Sequence, residues 1–189
     1  SWIELVYPTP AVPAHIACFA VGYSVLTWAG MILFGRDAWI RHGEVFSVFF
    51  GTFARFAPTE ARTDPPPELI LRPFGAGLLD NRSTSLSTTA FVLMLLSTVL
   101  YDGLLNTPEW TLLESAIGAI FRTPGEFELI AVRSAGLLAF WLLFLGAYTL
   151  IAAMMSAAAG GSRSPCEIAQ RFAFTLIPIA IGYHLAHYL

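Results

Sequence analysis

The chain has no lysine, and only two of its 189 residues are cysteine. Charge of either sign is scarce, with charged residues at 12% against roughly 25% in a soluble domain. Two cysteines supply no thiolate cluster for zinc or iron–sulfur. A net charge of -3 with no basic stripe excludes nucleic acid as a partner. So few charges cannot solvate the surface of a globule, and 56% hydrophobic residues exclude a disordered chain. The class left is an integral membrane protein, in keeping with a mean hydropathy of +0.67. Also missing are a basic leader ahead of Trp2-Ile3-Glu4-Leu5-Val6-Tyr7-Pro8 and a hydrophilic tail after His187-Tyr188-Leu189. We expect an internal stretch of a longer polytopic protein. Its partners would be the lipid bilayer and either further helices of the same chain or other membrane subunits.

What is present is apolar sequence in long runs. Four segments are long enough to cross about 30 Å of hydrocarbon: 13–34, 86–105, 129–159 and 168–189. Pro13 suits a first helical turn, the Ser/Thr-rich stretch from Ser83 suits a cap, and Pro178 removes one donor inside the fourth segment. Residues Trp2 to Tyr7 read as the last turns of an earlier helix. The expected fold is therefore all-α, a single polytopic bundle of about four spans.

Arginine in the loops sets the orientation. The 35–85 loop holds six, the 160–171 loop holds Arg163 and Arg171, and the 106–128 loop holds Arg122 beside four glutamates. The first and last of these face the cytoplasm of an inner membrane, and 106–128 faces outward. Cys18 and Cys166 then fall near opposite faces and form no disulfide. Two loop segments read as helices lying in the interface. Trp110 to Phe121 presents Trp110, Leu113, Ile117, Ile120 and Phe121 as one stripe, behind a Thr107-Pro108-Glu109 start signal. Val45 to Phe56 carries five phenylalanines at helical spacing. The proline-rich stretches at 61–67 and 72–73 read as connector, Gly75-Ala76-Gly77 lacks the ending of a phosphate loop, and Glu44 and His42 read as solvated.

Ionisable side chains inside a bilayer cost about 2.5–3.5 kcal/mol each on insertion scales, so those present are candidate functional groups. Asp102 lies near the outer end of the second span, His15 at the outer start of the first, and His184 and His187 in the last turns of the fourth. The two fourth-span histidines are three apart and share one side of their helix. Imidazoles with one carboxylate suit a divalent transition metal such as Zn, Cu or Fe, held between facing helices. The competing reading makes His184 and His187, with Tyr183 and Tyr188, an interfacial belt and pairs Asp102 with Arg133. Both readings are open on the sequence. A transporter is disfavoured by the lack of paired broken helices.

The motifs Trp2 to Pro8, Gly30-Met31-Ile32-Leu33-Phe34-Gly35-Arg36-Asp37-Ala38-Trp39, Gly43-Glu44 through Arg55-Phe56-Ala57-Pro58, Tyr101-Asp102-Gly103-Leu104, Thr107-Pro108-Glu109-Trp110, Leu176-Ile177-Pro178-Ile179-Ala180 and Ala186-His187-Tyr188 occur in order along the chain. In these the chain resembles the bacterial multi-pass membrane proteins commonly labelled fenitrothion hydrolase. The resemblance implies a longer protein with helices on either side of this stretch. It also implies hydrolysis of an organophosphorus ester through metal-activated water. Asp102 and His187 fall inside the resembling motifs, and His184 and His15 fall outside them. A non-catalytic accessory subunit of a larger membrane complex is the alternative from a different class.

Overall fold

A computed structural model describes residues 2–9, 11–62, 67–79, 84–120 and 126–188, without the side chains of 62, 120, 184, 187 and 188. In chain order the elements are α1 (Trp2–Leu5), α2 (Pro13–Phe34), α3 (Arg36–His42), α4 (Val45–Ala54), β1 (Thr59–Arg62), β2 (Glu68–Leu71), a 3-10 turn (Ala76–Leu78), α5 (Leu86–Leu105), α6 (Pro108–Ile120), α7 (Glu126–Ala158), α8 (Pro165–Phe172), a second 3-10 turn (Ala173–Leu176) and α9 (Ile177–Tyr188). The chain divides into two compact units, one of Ser1–Pro8 with Asn81–Leu189 and one of Thr9–Asp80.

Helix starts follow local chemistry. Ser85 accepts the Thr88 amide at 3.1 Å ahead of α5, and Thr107 accepts the Trp110 amide at 3.3 Å ahead of α6. Ser164 does the same for Glu167 at 3.2 Å, with Pro165 opening α8. Among the described residues three helices are long and apolar enough to cross a membrane: α2, α5 and α7. Their bounds match the expected first and second segments and begin the third at Glu126.

The fold is mostly helical, as expected, with one small addition: 59–62 and 68–71 pair as an antiparallel ribbon with Thr59 opposite Leu71 and Arg62 opposite Glu68. Pro67 has no amide with which to continue a helix and stands directly before the second strand, so the stretch read as connector leads into a strand. The fourth segment is not one continuous α-helix, since the 3-10 turn separates α8 from α9. Pro178 explains the break: it has no amide for the Phe174 carbonyl, and its ring crowds that oxygen. The Ile177 amide takes the Phe174 carbonyl in the tighter i to i+3 pattern instead.

In the first unit α5 is the central helix. About two-fifths (39%) of its apolar window is buried, against 6% for α7. Val92, Leu93, Leu96 and Ser97 of α5 are buried, as are Ile168, Ala169, Ala173, Phe174, Ile177 and Ala180 of the α8–α9 stretch. Trimming Leu93 or Ile177 to alanine in such packing costs about 2–5 kcal/mol. Hydrogen bonds that cross between helices fix the directions. Tyr101 Oη donates to the Arg133 carbonyl at 2.9 Å and Trp141 Nε1 to the Ala90 carbonyl at 3.1 Å, so α5 and α7 run antiparallel. Tyr148 Oη donates to the Ala169 carbonyl at 2.7 Å and Ser156 Oγ to the Arg163 carbonyl at 2.6 Å, which turns α8 back along α7. It follows that α5 and α8–α9 run parallel, joined at their starts by Thr84 Oγ1 donating to the Gln170 carbonyl at 2.6 Å.

In the second unit α2 is followed at once by α3 through Gly35, whose φ of 83° only glycine adopts without strain. Trp39 of α3 lies flat against Gly30, where a Cβ would come within 2.3 Å of the indole, and stacks on Phe34 at 5.8 Å. The α4 helix follows, with Glu44 at its start, and then the ribbon.

Candidate functional site

One cluster of polar side chains in the first unit lies where α5, α6 and α7 meet. Tyr101 is fully buried there, edge-on to Trp110 at 5.3 Å and packed with Leu5 and Val6. Gly136 of α7 leaves the room, since a Cβ would lie 2.5 Å from both the Tyr101 hydroxyl and the Trp110 ring. A residue without a side chain lets the helices approach this closely. Glu114 of α6 accepts from Trp110 Nε1 at 2.7 Å and from Arg133 Nε at 2.9 Å. Burial pushes the Glu114 carboxyl up, yet the Arg133 and Trp110 hydrogen bonds and the guanidinium charge outweigh it and hold the carboxyl below its usual range. The cluster clamps α6, just after the turn from α5, onto the start of α7.

Glu114 was the residue sequence reasoning missed. Its signal was present in the i, i+4 spacing from Trp110. Reading it needed the knowledge that α6 folds down on Arg133, which the sequence had offered to Asp102.

Asp102 follows Tyr101 and is partly buried, and its main-chain carbonyl accepts from Asn106 Nδ2 at 2.9 Å. His184 and His187 are positions of α9 whose side chains lie outside the described residues. The stretch that carries them runs parallel to α5, so positions 184 and 187 fall near the end of α9 as Asp102 falls in the last turn of α5. His15 belongs to the second unit, in the first turn of α2, with Nδ1 3.1 Å from Thr9 Oγ1. Among the described residues no group of three or more His, Cys, Asp or Glu side chains is gathered as a metal would need. Cys18 and Cys166 are free and exposed.

The second unit has its own polar centre. The Arg72 guanidinium donates to the carbonyls of Ala57 at 3.2 Å, Ala54 at 3.2 Å and Arg55 at 3.4 Å, and to Glu60 Oε2 at 2.9 Å. Arg72 thus satisfies the carbonyls that α4 leaves open at its end, a structural use of a five-donor fork. Beside it is a cavity of about 600 Å³ lined by Arg55, Glu60, Arg72 and the small residues Gly51, Ala54 and Gly77. The Gly75-Ala76-Gly77 segment packs here, where a Cβ on Gly77 would sit 2.6 Å from the Arg55 carbonyl.

Comparison of the chain with family models, with curated proteins and with solved structures finds no match.

Proposed function

We propose that the chain is a four-span module of an inner-membrane protein, with α8, the 3-10 turn and α9 together forming the fourth crossing. The 24 helical residues from Pro165 to Tyr188 reach about 36 Å at 1.5 Å each, enough for the hydrocarbon layer. The arginine distribution directs 35–85 and 160–171 to the cytoplasm and lays α6 in the outer interface.

For its chemistry we propose metal-dependent hydrolysis of an apolar ester at the outer end of the bundle. The observation that supports this is that α5 and the α8–α9 stretch run the same way, with position 102 near the end of α5 and positions 184 and 187 near the end of α9. Two imidazoles and a carboxylate form a donor set that zinc, copper or iron accepts. A metal held by Asp102, His184 and His187 would supply Lewis acidity toward the ester oxygen. The chain's own part is to bring the donors to one depth and to admit the substrate from the lipid side, where α7 is mostly uncovered. His15 is left out of this set, since it belongs to the other compact unit. The resemblance to proteins labelled fenitrothion hydrolase points to the same class of substrate.

Metal analysis of detergent-purified protein tests this reading. About one equivalent of transition metal is expected per chain, falling away in Asp102→Ala and in His184→Ala while the helical signal stays. Metal-free protein would overturn it. A second reading, an accessory subunit without chemistry, is favoured by the bare apolar faces of α7, where Leu142, Leu143, Leu150 and Met154 are all more than half exposed. It expects metal-free protein that co-purifies with a fixed membrane partner.

A further inference from the structure

The sequence alone lays α4 on the membrane surface, but its position beside α2 is hard to reconcile with that. Helix α3 folds back along α2, with Trp39 against Gly30. Nine residues beyond the Gly35 corner, Glu44 accepts a hydrogen bond from the hydroxyl of Tyr23, near the middle of α2. The Tyr23 ring meets Phe46 of α4 edge-on at 5.4 Å. The start of α4 is thus carried roughly 13 Å back from the end of α2, close to half the thickness of the hydrocarbon layer.

We infer that α3 and α4 form a re-entrant hairpin that dips into one leaflet beside α2, with lipid acyl chains covering the outer face of α4. Three features support lipid as the occupant. The ten residues of α4 include no charge, and Val45, Phe46 and Phe50 are each more than half exposed. Several backbone groups at the α3–α4 break are satisfied from within, which suits a bilayer. There the Gly43 and Glu44 amides donate to the Trp39 carbonyl, the Phe46 and Ser47 amides to the Glu44 carboxylate, and the Val48 amide to the Glu44 carbonyl. At the other end of α4 the carbonyls of Ala54, Arg55 and Ala57 are taken by Arg72. The charges of α3 are compatible with the dip: Arg36 and Asp37 begin it at the end of α2, and the exposed Arg41 has a stem long enough to reach back to headgroups.

The inference rests on α2 crossing the membrane, so the test reads both helices. In the full chain with Cys18 and Cys166 replaced by serine, a nitroxide is attached at Phe50→Cys, or at Leu26→Cys in the middle of α2. The protein is placed in vesicles of phosphatidylethanolamine and phosphatidylglycerol. Collision with dissolved oxygen, which prefers lipid, is compared with collision with a neutral nickel chelate, which prefers water. Both sites are expected to favour oxygen several-fold, and Val45→Cys repeats the measurement if the Phe50 variant folds poorly. Nickel access at Phe50 with Leu26 still in lipid would overturn the hairpin alone. Shielding of Phe50 from both reagents would overturn it in favour of a protein cover. Nickel access at both sites would show that α2 does not cross, and the hairpin would fall with it.

Discussion

Glu114 and Glu44 are both carboxylates tied into helix packing, one in each unit, and they are held in different ways. Glu114 answers a cation on another helix: Arg133 Nε at 2.9 Å, with the Trp110 indole as a second donor. Glu44 is held instead by amides of its own helix and by the Tyr23 hydroxyl. The first arrangement joins two elements through charge and depends on both partners staying ionised. The second closes a helix start by hydrogen bonding, which an uncharged group can partly imitate. Charge is scarce in this chain, and the comparison indicates where it is used to hold tertiary structure and where it replaces missing backbone partners.

Removing the cation should produce the larger effect. Arg133→Ala leaves Glu114 partly buried opposite an empty space. Breaking a fully buried pair costs about 3–5 kcal/mol, and with these side chains 30% and 21% exposed we expect about 2 kcal/mol. Denaturant unfolding in detergent would measure it, and the double variant Arg133→Ala, Glu114→Ala should recover part of the loss. Full additivity of the two substitutions would mean the pair is not coupled and would erase the distinction drawn here.

Glu44→Ala should cost less, about 1 kcal/mol, the usual price of a lost N-cap. Glu44→Gln should recover part of that loss, because an amide oxygen still accepts from one of the two amides. Glu114→Gln should recover little, because the Arg133 charge goes unanswered. Equal behaviour of the two glutamine variants in thermal unfolding would contradict the comparison.

Much of this fold was legible. The helices at 13–34 and 86–105 announce themselves through unbroken apolar runs, Pro13 at a first turn and Ser85 as a cap. The ribbon at 59–71 was not legible, because four-residue strands beside a proline run carry no period long enough to separate them from loop. The break at 173–176 was half legible: Pro178 gave notice of a disturbance, but not that the preceding turn would tighten into 3-10 form. The expected gathering of Asp102, His184 and His187 rested on span lengths alone, and the side chains of 184 and 187 lie outside the described residues. What hydropathy could not reveal is that Glu44 meets Tyr23, since that contact depends on α3 folding back at Gly35 and not on any periodicity.

The smallest effect expected is also the most selective. The folded Glu114 carboxyl is held below its usual range, so its protonation works against the folded state. Its stabilisation is complete above the ordinary carboxylate value of about 4.3 and is lost as the pH falls through the lowered folded value. Arg133 stays charged throughout this range, so the loss comes from the carboxylate side of the pair. Thermal unfolding of the wild type in detergent should therefore decline below about pH 4.5, and the Glu114→Gln variant should decline less over the same interval. The difference between the two curves isolates this one carboxylate from the other acids that titrate there, which are common to both proteins. Parallel curves would mean that Glu114 gains nothing from ionisation in the folded state, and the clamp on α6 would then have to be assigned to Trp110 and Tyr101 packing alone.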